Sequence, residues 1–285
     1  MAQVVQTCYR HSDQRAGVVC QRCDRPICPQ CMHQASVGFH CPECAKTGKQ
    51  RVYNARAIAT MGSTVTRILI GVNLAVFVLG VILEPSGFFN GSQRLLVDGG
   101  LISGGRLQSG QLIGVAHGQW WRLVTSGFLH YGALHIAFNM YALWVLGPLI
   151  ERAVGRVAFV VIYGSSLLAG SLGGLLLTPY ALGAGASGAI FGLMGAALAA
   201  QKANHVRLAE GGILMWVGIN LVITFALPGI SKGGHIGGLI GGAIAGACVF
   251  YGPRYAKDDK LPTVLAGLVG VVSVAGALIV AAAHP

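Results

Sequence analysis

The chain has 285 residues, of which 54% are hydrophobic and 10% are charged, and its mean hydropathy is +0.64. Soluble domains carry about 25% charged residues, so this composition excludes a soluble protein and indicates an integral membrane protein. The net charge of +11 is spread along the chain. We therefore expect attraction to anionic lipid and no nucleic-acid partner, since no segment gathers the basic residues.

Residues 1–62 hold seven of the eight cysteines and no long apolar run. Four pairs of candidate metal ligands occur there, each with a gap of two residues: Cys8 and His11, Cys20 and Cys23, Cys28 and Cys31, and Cys41 and Cys44. A gap of two lets both side chains of a tight turn reach one ion, and eight ligands suffice for two tetrahedral zinc sites. Because the ligand sets leave no open position, we predict structural zinc that supplies the folding free energy of this segment.

A disulfide framework is the competing interpretation, but thiols persist in the reducing cytoplasm where we place this segment. Cysteines without any ligand role would not explain the regular pairs. His33 and His40 are additional candidate ligands. The segment resembles a B-box-type zinc finger, in which the ligand pairs interleave. That resemblance implies one ion held by Cys8, His11, Cys28 and Cys31, and a second held by Cys20, Cys23, Cys41 and Cys44.

The sequence thus predicts a zinc-binding domain over residues 1–45, a basic linker over 46–62 beside the cytoplasmic leaflet, and a membrane domain over 63–285. A cytoplasmic protein partner is one role that we consider for the zinc-binding domain. Seven stretches of the membrane domain approach the ~20 apolar residues that cross a bilayer. They are 65–83, 133–150, 156–177, 186–203, 211–227, 234–252 and 263–283.

The first apolar stretch begins only after sixty residues, so we expect no signal peptide and a cytoplasmic N-terminus. With seven crossings, most loop cations fall on the cytoplasmic side: Lys46, Lys49, Arg51, Arg56, Arg67, Arg152, Arg156, Lys202, Arg207, Arg254, Lys257 and Lys260. The opposite side carries Arg94, Arg106, Arg122 and Lys232 over longer loops. This positive-inside bias predicts a multi-pass protein of the cell membrane with an extracytoplasmic C-terminus.

Polar residues occur at matching positions in three spans. His135 and Asn139 share one face of the second span, since four residues turn a helix by about 400°. Ser187 opens the fourth span and His235 opens the sixth. All three spans are even-numbered and enter from the outer side. The four side chains therefore lie at one depth in the outer half of the membrane, where polar groups usually indicate function.

Small-residue stripes suggest how these spans pack. Gly234, Gly238, Gly242 and Gly246 form one stripe on the sixth span, and Gly188, Gly192 and Ala196 form another on the fourth. Such stripes let two helices approach closely in lipid. If they face each other, Ser187 and His235 meet at the top of the contact. Alternatively, the glycines only pack helices, and Ser187 bonds its own helix backbone.

The positions of the acidic residues restrict the catalytic mechanisms that are possible, because none of the nine lies in the interior of a span. A membrane aspartyl protease, a His-Glu-x-x-His zinc protease and a carboxylate-oriented triad are therefore all disfavoured. A serine and histidine dyad for attack on a carbonyl is what the residues allow. Candidate oxyanion donors are the backbone N–H of Ser187 and the side chains of Asn139 and His135. Interhelical hydrogen bonding is the alternative role of these two side chains.

The membrane domain resembles the rhomboid family of intramembrane serine proteases. The resemblance rests on Gly185-Ala-Ser187-Gly188, His235 before two glycines, His135-x-x-x-Asn139 and Trp121-Arg122. It implies an all-α polytopic fold with a six-helix core, one further C-terminal helix and an outward-facing cavity with water. It also implies that Ser187 is the nucleophile and His235 the base, while His135 and Asn139 complete the oxyanion hole.

Other residues receive expectations from the same resemblance. Phe191 is expected to stack on the catalytic histidine, where the family often has tyrosine. His130 and Arg122 are expected to brace the loop of residues 84–120. Trp120 and Trp121 would lie in the outer interface, where indoles favour anchoring. We expect His117 and His205 to be exposed loop residues.

The leading prediction is an intramembrane serine endopeptidase that cleaves transmembrane substrates near the outer leaflet and needs no cofactor for catalysis. A non-catalytic relative that binds membrane helices and recruits partners through its zinc module is the alternative. A transporter is a third class. It is disfavoured because no ladder of ionisable residues crosses the membrane and the polar residues occupy only its outer half.

Overall fold

The computed structural model describes residues 6–35, 38–47, 62–203, 212–227, 229–252, 255, 258 and 260–285. The chain forms two compact units, Met1–Met61 and Gly62–Pro285, and each is described by itself. Residues 48–61 of the predicted basic linker, together with His205, lie outside the described residues.

The N-terminal unit is built from very short elements. β1 (Val18–Val19) pairs antiparallel with β2 (Pro26–Ile27), and β3 (His33–Gln34) pairs with β4 (Phe39–His40). The described part of this unit also contains a 3₁₀ turn (Pro29–Cys31) and the helix α1 (Pro42–Thr47). Its buried hydrophobic cluster consists of Ile27 and five cysteines. Two-residue strands and so small an apolar core contribute little stability by themselves.

The second unit is helical. In its described residues the α-helices are α2 (Thr64–Leu83), α3 (Gly87–Asn90), α4 (Gln93–Gly99), α5 (Arg122–Thr125), α6 (Ala133–Val154), α7 (Arg156–Leu177), α8 (Ser187–Ala203), α9 (Ile213–Ala226), α10 (Lys232–Tyr251) and α11 (Leu261–Ala282). Within the described part, α2, α6, α7, α10 and α11 are long and apolar enough to cross a membrane, and α9 is a shorter apolar helix. Each of the seven predicted spans coincides with one helix. The chain is therefore an all-α, multi-pass membrane protein.

Helix ends follow from local chemistry. Gly155 adopts φ +83°, a left-handed conformation that favours glycine, and it lets α7 begin directly after α6 ends. The helix α6 extends four residues beyond the predicted span and so includes Glu151, a residue that is 3% exposed. This carboxylate accepts hydrogen bonds from the backbone N–H groups of Val65 and Thr66 and from the Thr66 hydroxyl, at 2.7–2.9 Å. Glu151 thereby satisfies the unpaired N–H groups at the start of α2 and joins it to α6.

The predicted glycine stripes of α8 and α10 face each other. A Cβ added to a glycine of α10 would collide with a small residue of α8, in pairs spaced one helical turn apart: Gly238 with Gly188, Gly242 with Gly192, and Gly246 with Ala196. The prediction of backbone-to-backbone packing between these two spans is therefore confirmed. Small residues make this contact possible because no side chain separates the helices.

The helix α10 also packs closely on α7. A Cβ on Gly233 would meet the backbone of Gly173, and one on Gly237 would meet the backbone of Ala169. The helix α10 is therefore held between α7 and α8 by small residues on two of its faces. Half of the buried glycines in the described residues lie on these three helices.

The long loop between α2 and α6 is ordered by backbone and side-chain hydrogen bonds. Arg122 is 1% exposed and donates to the Gln119 side chain and to the backbone carbonyls of Gly100 and Val97, each at 2.7 Å. Leu101 pairs with Gly183 through two backbone bonds, which ties this loop to the segment before Ser187. These contacts confirm that Arg122 braces the loop, as expected.

The same loop contains other residues whose contacts or exposure the structure defines. Glu84 accepts from the Ser92 hydroxyl at 2.7 Å and from the backbone N–H of Arg94, and these bonds hold the pKa of Glu84 below its usual value. Trp120 and Trp121 are exposed, as expected of anchoring indoles. The expectation for His117 was wrong, because this residue ends the 3₁₀ turn Val115–His117 and is partly buried.

We expect Gly242→Ala to lower the free energy of unfolding by about 1–3 kcal/mol, because its methyl group would collide with backbone atoms of Gly192 that cannot rotate away. The matched control is Gly164→Ala on α7, where a Cβ meets nothing within 4 Å. That control should raise stability by up to about 1 kcal/mol through helix propensity. Thermal unfolding of purified protein in detergent measures both, and equal stability of the two variants would contradict the packing described above.

Candidate active site

Ser187 and His235 lie at the first turns of the two helices that pack most closely. Ser187 is the first residue of α8, and His235 is in the first turn of α10. Ser187 Oγ and His235 Nε2 are 2.8 Å apart, a hydrogen-bond distance. His235 is 8% exposed, and Ser187 is partly buried. The residues meet because the backbone of Gly188, the residue after Ser187, touches that of Gly238, about one turn after His235.

The ring of Phe191 lies against the imidazole of His235. The ring centroids are 4.1 Å apart and the planes are inclined by 18°, which is a stacked arrangement. Phe191 is one turn after Ser187 on α8, so the helix that carries the serine also restrains the plane of the histidine. Phenylalanine brings an apolar face and no hydroxyl, so this contact orients the imidazole without hydrogen bonding to it.

The second ring nitrogen of His235 contacts a residue that the sequence analysis did not consider. Thr224 Oγ1 on α9 lies 2.7 Å from His235 Nδ1 and 2.7 Å from the backbone oxygen of Asn220. Thr224 is 1% exposed. The sequence did contain a signal for Thr224. Asn220 and Thr224 are four residues apart, as are His135 and Asn139, and they lie at the end of the fifth span, near the level of His235.

His135 and Ser187 both lie close to Gly185. A Cβ placed on Gly185 would lie 2.8 Å from His135 Cε1, 3.0 Å from His135 Nε2 and 3.5 Å from Ser187 Oγ. Only glycine fits at residue 185, which also adopts φ +131°. The backbone N–H of Tyr131 lies 3.2 Å from His135 Nδ1 and can only donate. In the neutral ring Nδ1 is therefore the acceptor and Nε2 carries the proton, so Nε2 presents an N–H group beside Ser187.

Asn139 lies one turn after His135 on α6 and is 5% exposed. Its side-chain nitrogen donates to the backbone oxygen of His135 at 2.8 Å. The amide group carries two N–H bonds, and this contact uses one of them. His130 is also buried, with its ring edge-on to His135 at 5.1 Å between centroids. It packs against the site from the loop that precedes α6.

The geometry brings together a hydroxyl, an imidazole and several N–H donors. Ser187 begins α8, so its backbone N–H is one of the groups that lack a partner within the helix and lie at the positive end of its dipole. The hydrogen bonds described for Ser187, His135, Asn139, Thr224 and His235 involve no carboxylate. Such a site can activate a serine and stabilise negative charge on a carbonyl oxygen.

The N-terminal unit contains two separate ligand clusters that could each hold a metal ion. One consists of Cys8, His11, Cys28 and Cys31, and the other of Cys20, Cys23, Cys41 and Cys44. Within each cluster the ligand atoms all lie within 4.8 Å of one another. These are the two groups that the B-box resemblance implied. His33 and His40 belong to neither cluster; they face each other across β3 and β4.

The spacing within these clusters fits a tetrahedral ion better than a disulfide. Sulfurs held about 2.3 Å from zinc at the corners of a tetrahedron lie about 3.8 Å apart. Cys23 Sγ and Cys41 Sγ are 3.7 Å apart, and His11 Nδ1 lies 3.4 Å from Cys28 Sγ and 3.5 Å from Cys31 Sγ. All eight cysteines lie in the described part, and none forms a disulfide.

Comparison with known proteins identifies the membrane unit. The family described as "Rhomboid domain" matches residues 117–252, a range that contains both spans of the glycine contact and the residues around Ser187 and His235. The membrane unit of this chain belongs to the rhomboid family. The resemblance stated from the sequence motifs is therefore confirmed.

Several relatives of this rhomboid domain carry protease names. "Rhomboid protease GluP" of Bacillus subtilis is 37% identical over 195 residues, which cover 67% of this chain and 36% of that protein. "Putative rhomboid protease YdcA" of the same organism is 41% identical over 88 residues, covering 30% and 44%. "RHOMBOID-like protein 7" of Arabidopsis thaliana is 32% identical over 156 residues, covering 53% and 50%. The matches thus span about a third to a half of the relatives' length.

Proposed function

We propose that this protein is an intramembrane serine endopeptidase that cleaves transmembrane protein substrates near the outer leaflet. The observation that carries the proposal is the 2.8 Å contact between Ser187 Oγ and His235 Nε2. The names of the bacterial relatives support the same chemistry. The catalytic roles of Ser187, His235, His135 and Asn139 are part of the proposal, as is the absence of a catalytic cofactor.

In the first step, Ser187 Oγ attacks the carbonyl carbon of the scissile peptide bond and its proton passes to His235 Nε2. The resulting oxyanion is stabilised by the backbone N–H of Ser187 and by the side-chain N–H groups of His135 and Asn139. His235 then gives the proton to the amide nitrogen, the C–N bond breaks and the amine product leaves. The other half of the substrate remains as an ester of Ser187.

In the second step, His235 takes a proton from a water molecule whose oxygen attacks the ester carbonyl. The second oxyanion collapses, the proton returns to Ser187 Oγ and the carboxylic acid product leaves. Water must reach Ser187 for this step. The partial exposure of Ser187 and His135 is compatible with that access, while burial of Asn139 and Thr224 keeps the supporting groups dry.

The orientation in the membrane belongs to the same proposal. Ser187 and His235 begin even-numbered spans, and the positive-inside bias of the loops places the starts of these spans at the outer surface. The N-terminus is then cytoplasmic, the C-terminus is extracytoplasmic, and the protein lies in the cell membrane. Residues 1–45 form the zinc-binding domain, 46–62 the linker and 63–285 the membrane domain. A cytoplasmic protein partner of the first domain stays a prediction.

We further propose that each of the two cysteine clusters holds one structural zinc ion. The donor set of seven thiolates and one imidazole suits zinc, and four ligands per cluster leave no position open for catalysis. Cys28 and Cys41 are buried at the centre of this unit, so zinc would replace the large apolar core that the short strands cannot form.

Ser187→Ala should lower the rate of cleavage of a generic transmembrane substrate by at least about 10³-fold, because no other group replaces the nucleophile. The assay uses purified full-length protein in detergent or liposomes. Ser273→Ala on α11 is the matched control, since it removes another nearly buried hydroxyl. Cleavage by Ser187→Ala at the wild-type rate would exclude the proposed nucleophile, while substrate binding without cleavage by the wild type would favour the non-catalytic alternative.

Asn139→Ala should lower kcat by about 10²-fold with little change in KM, because an oxyanion donor acts on charge that develops only in the transition state. The matched control is Asn73→Ala on α2, since the Asn73 amide donates the same kind of bond to its own helix, to the Leu69 oxygen at 2.8 Å. A change confined to KM in Asn139→Ala would argue for a role in substrate binding instead.

Purified protein should contain two zinc ions per chain by elemental analysis. Cys28→Ser should lower this content to about one, because it breaks a single four-ligand set. Cys248→Ser is the matched control and should retain both ions, since Cys248 lies on α10 outside the clusters. An N-terminal unit that remains folded after chelation of all metal would contradict a structural role for zinc.

A further inference from the structure

Thr224 is a buried polar residue that the proposed reaction does not use directly. It lies on α9, yet its hydroxyl reaches the catalytic histidine of α10 at 2.7 Å. We propose that Thr224 is the positioning residue of His235, which keeps the proton of the neutral imidazole on Nδ1 and so leaves Nε2 able to accept the proton of Ser187. This inference rests on the proposed function and adds a third member to the dyad.

The direction of the hydrogen bonds follows from a count of protons. Thr224 Oγ1 lies 2.7 Å from the backbone oxygen of Asn220 and 2.7 Å from His235 Nδ1, but a hydroxyl has one proton. A carbonyl oxygen can only accept, so two oxygens at 2.7 Å attract each other only if the Thr224 proton lies between them. The Thr224 oxygen is then an acceptor toward His235, and Nδ1 must supply the proton of that second bond.

The protonation of Nδ1 decides what Nε2 can do. A neutral imidazole has one N–H group, so a proton on Nδ1 leaves a lone pair on Nε2, which faces Ser187 Oγ at 2.8 Å. In the other tautomer, Nε2–H would donate to Ser187 and could not remove its proton. A carboxylate performs this task in serine protease triads, where the wrong tautomer abolishes most activity. Here the structure assigns the task to a neutral hydroxyl.

The alternative, in which the Thr224 hydroxyl only bonds the backbone of its own helix, explains fewer of its contacts. Threonine hydroxyls in helices often bond the carbonyl one turn earlier, which accounts for the Asn220 contact alone. It does not account for a second contact at 2.7 Å, made across helices to the one ring nitrogen that Ser187 leaves available. Phe191 restrains the plane of the imidazole by stacking, and Thr224 then selects which way round the ring sits in that plane.

The Thr224 contact connects His235, the proposed base, to the packing of α9 against the site. All fourteen residues of α9 are described, and Val217 and Thr224 are the two that are buried. The Thr224 bond is therefore among the few contacts by which α9 is held to the site. If α9 moves outward, His235 loses the acceptor for Nδ1–H, and the tautomer that can activate Ser187 loses its support.

The test compares Thr224→Val, which replaces the hydroxyl by a methyl group, with Thr224→Ser, which keeps the hydroxyl. Two readouts are used on the full chain in detergent: the rate of labelling of Ser187 by a fluorophosphonate probe, and kcat and KM for a generic transmembrane substrate. We expect Thr224→Val to lower the labelling rate and kcat by about 10-fold with KM unchanged, as for loss of one hydrogen bond in a buried site. Thr224→Ser should stay near the wild type.

The matched control is Ser273→Ala on α11, because the Ser273 hydroxyl donates to the carbonyl of Val269, one turn earlier, at 2.7 Å, as the Thr224 hydroxyl does to Asn220. This control should label and cleave at the wild-type rate. A loss of similar size in Ser273→Ala would mean that removal of any intrahelical hydroxyl bond disturbs the site, and would overturn the specific role of Thr224.

A spectroscopic readout tests the tautomer without relying on activity. The ¹⁵N NMR shifts of labelled histidine distinguish a protonated Nδ1 from a protonated Nε2, and the His235→Asn variant identifies the His235 signals. Wild-type His235 should carry its proton on Nδ1, and a proton on Nε2 would overturn the inference even if Thr224→Val failed to fold. A wild type that labels, with Thr224→Val labelling equally fast, would overturn it too. A wild type that neither labels nor cleaves would instead remove the proposed function.

Discussion

The close contact of three glycine-rich helices is the constraint on which the rest of the membrane unit depends. The backbone of α10 touches that of α7 on one side and that of α8 on the other, and even a methyl group on the contacting glycines of α10 would collide with the facing helix. Because packing rather than a hydrophobic driving force joins helices in lipid, this contact supplies much of their association. It also brings the first turns of α8 and α10 within hydrogen-bond reach, so the same glycines that stabilise the fold determine the distance between Ser187 and His235.

The two histidines of the site are held in opposite tautomers by neighbours whose hydrogen-bonding roles allow no choice. The Tyr131 N–H must donate, so His135 accepts at Nδ1 and presents Nε2–H. The Asn220 carbonyl must accept, so the Thr224 hydroxyl is oriented away from His235 and leaves Nε2 of that ring as an acceptor. In the proposed mechanism, His135 is then the donor to the oxyanion and His235 is the base. Neither assignment needs a carboxylate, which agrees with the lack of acidic residues in the span interiors.

The two units of the chain are stabilised by different means. The N-terminal unit has strands of two residues and a core made largely of cysteines, so the proposed zinc ions would replace an apolar core. In the membrane unit, hydrogen bonds between elements satisfy several buried polar residues. Glu151 is the clearest case, because one buried carboxylate at the end of α6 accepts three hydrogen bonds from the start of α2. That arrangement satisfies the helix terminus and pairs the buried carboxylate with the positive end of the helix dipole.

The sequence by itself determined the membrane class, the seven apolar stretches, the glycine stripes and the ligand pairs, because each depends on local composition or on a fixed helical or turn period. It also indicated that Ser187, His235, His135 and Asn139 lie at one depth. Only the tertiary structure decided which side chains touch. Thr224 was missed because its contact joins two helices across a loop, and threonines on apolar helices are common. The partial burial of His117 and the hydrogen bonding of Glu151 to α2 likewise could not be inferred from residue spacing. Lateral contacts between helices depend on packing angles and rotations that no period along one chain encodes.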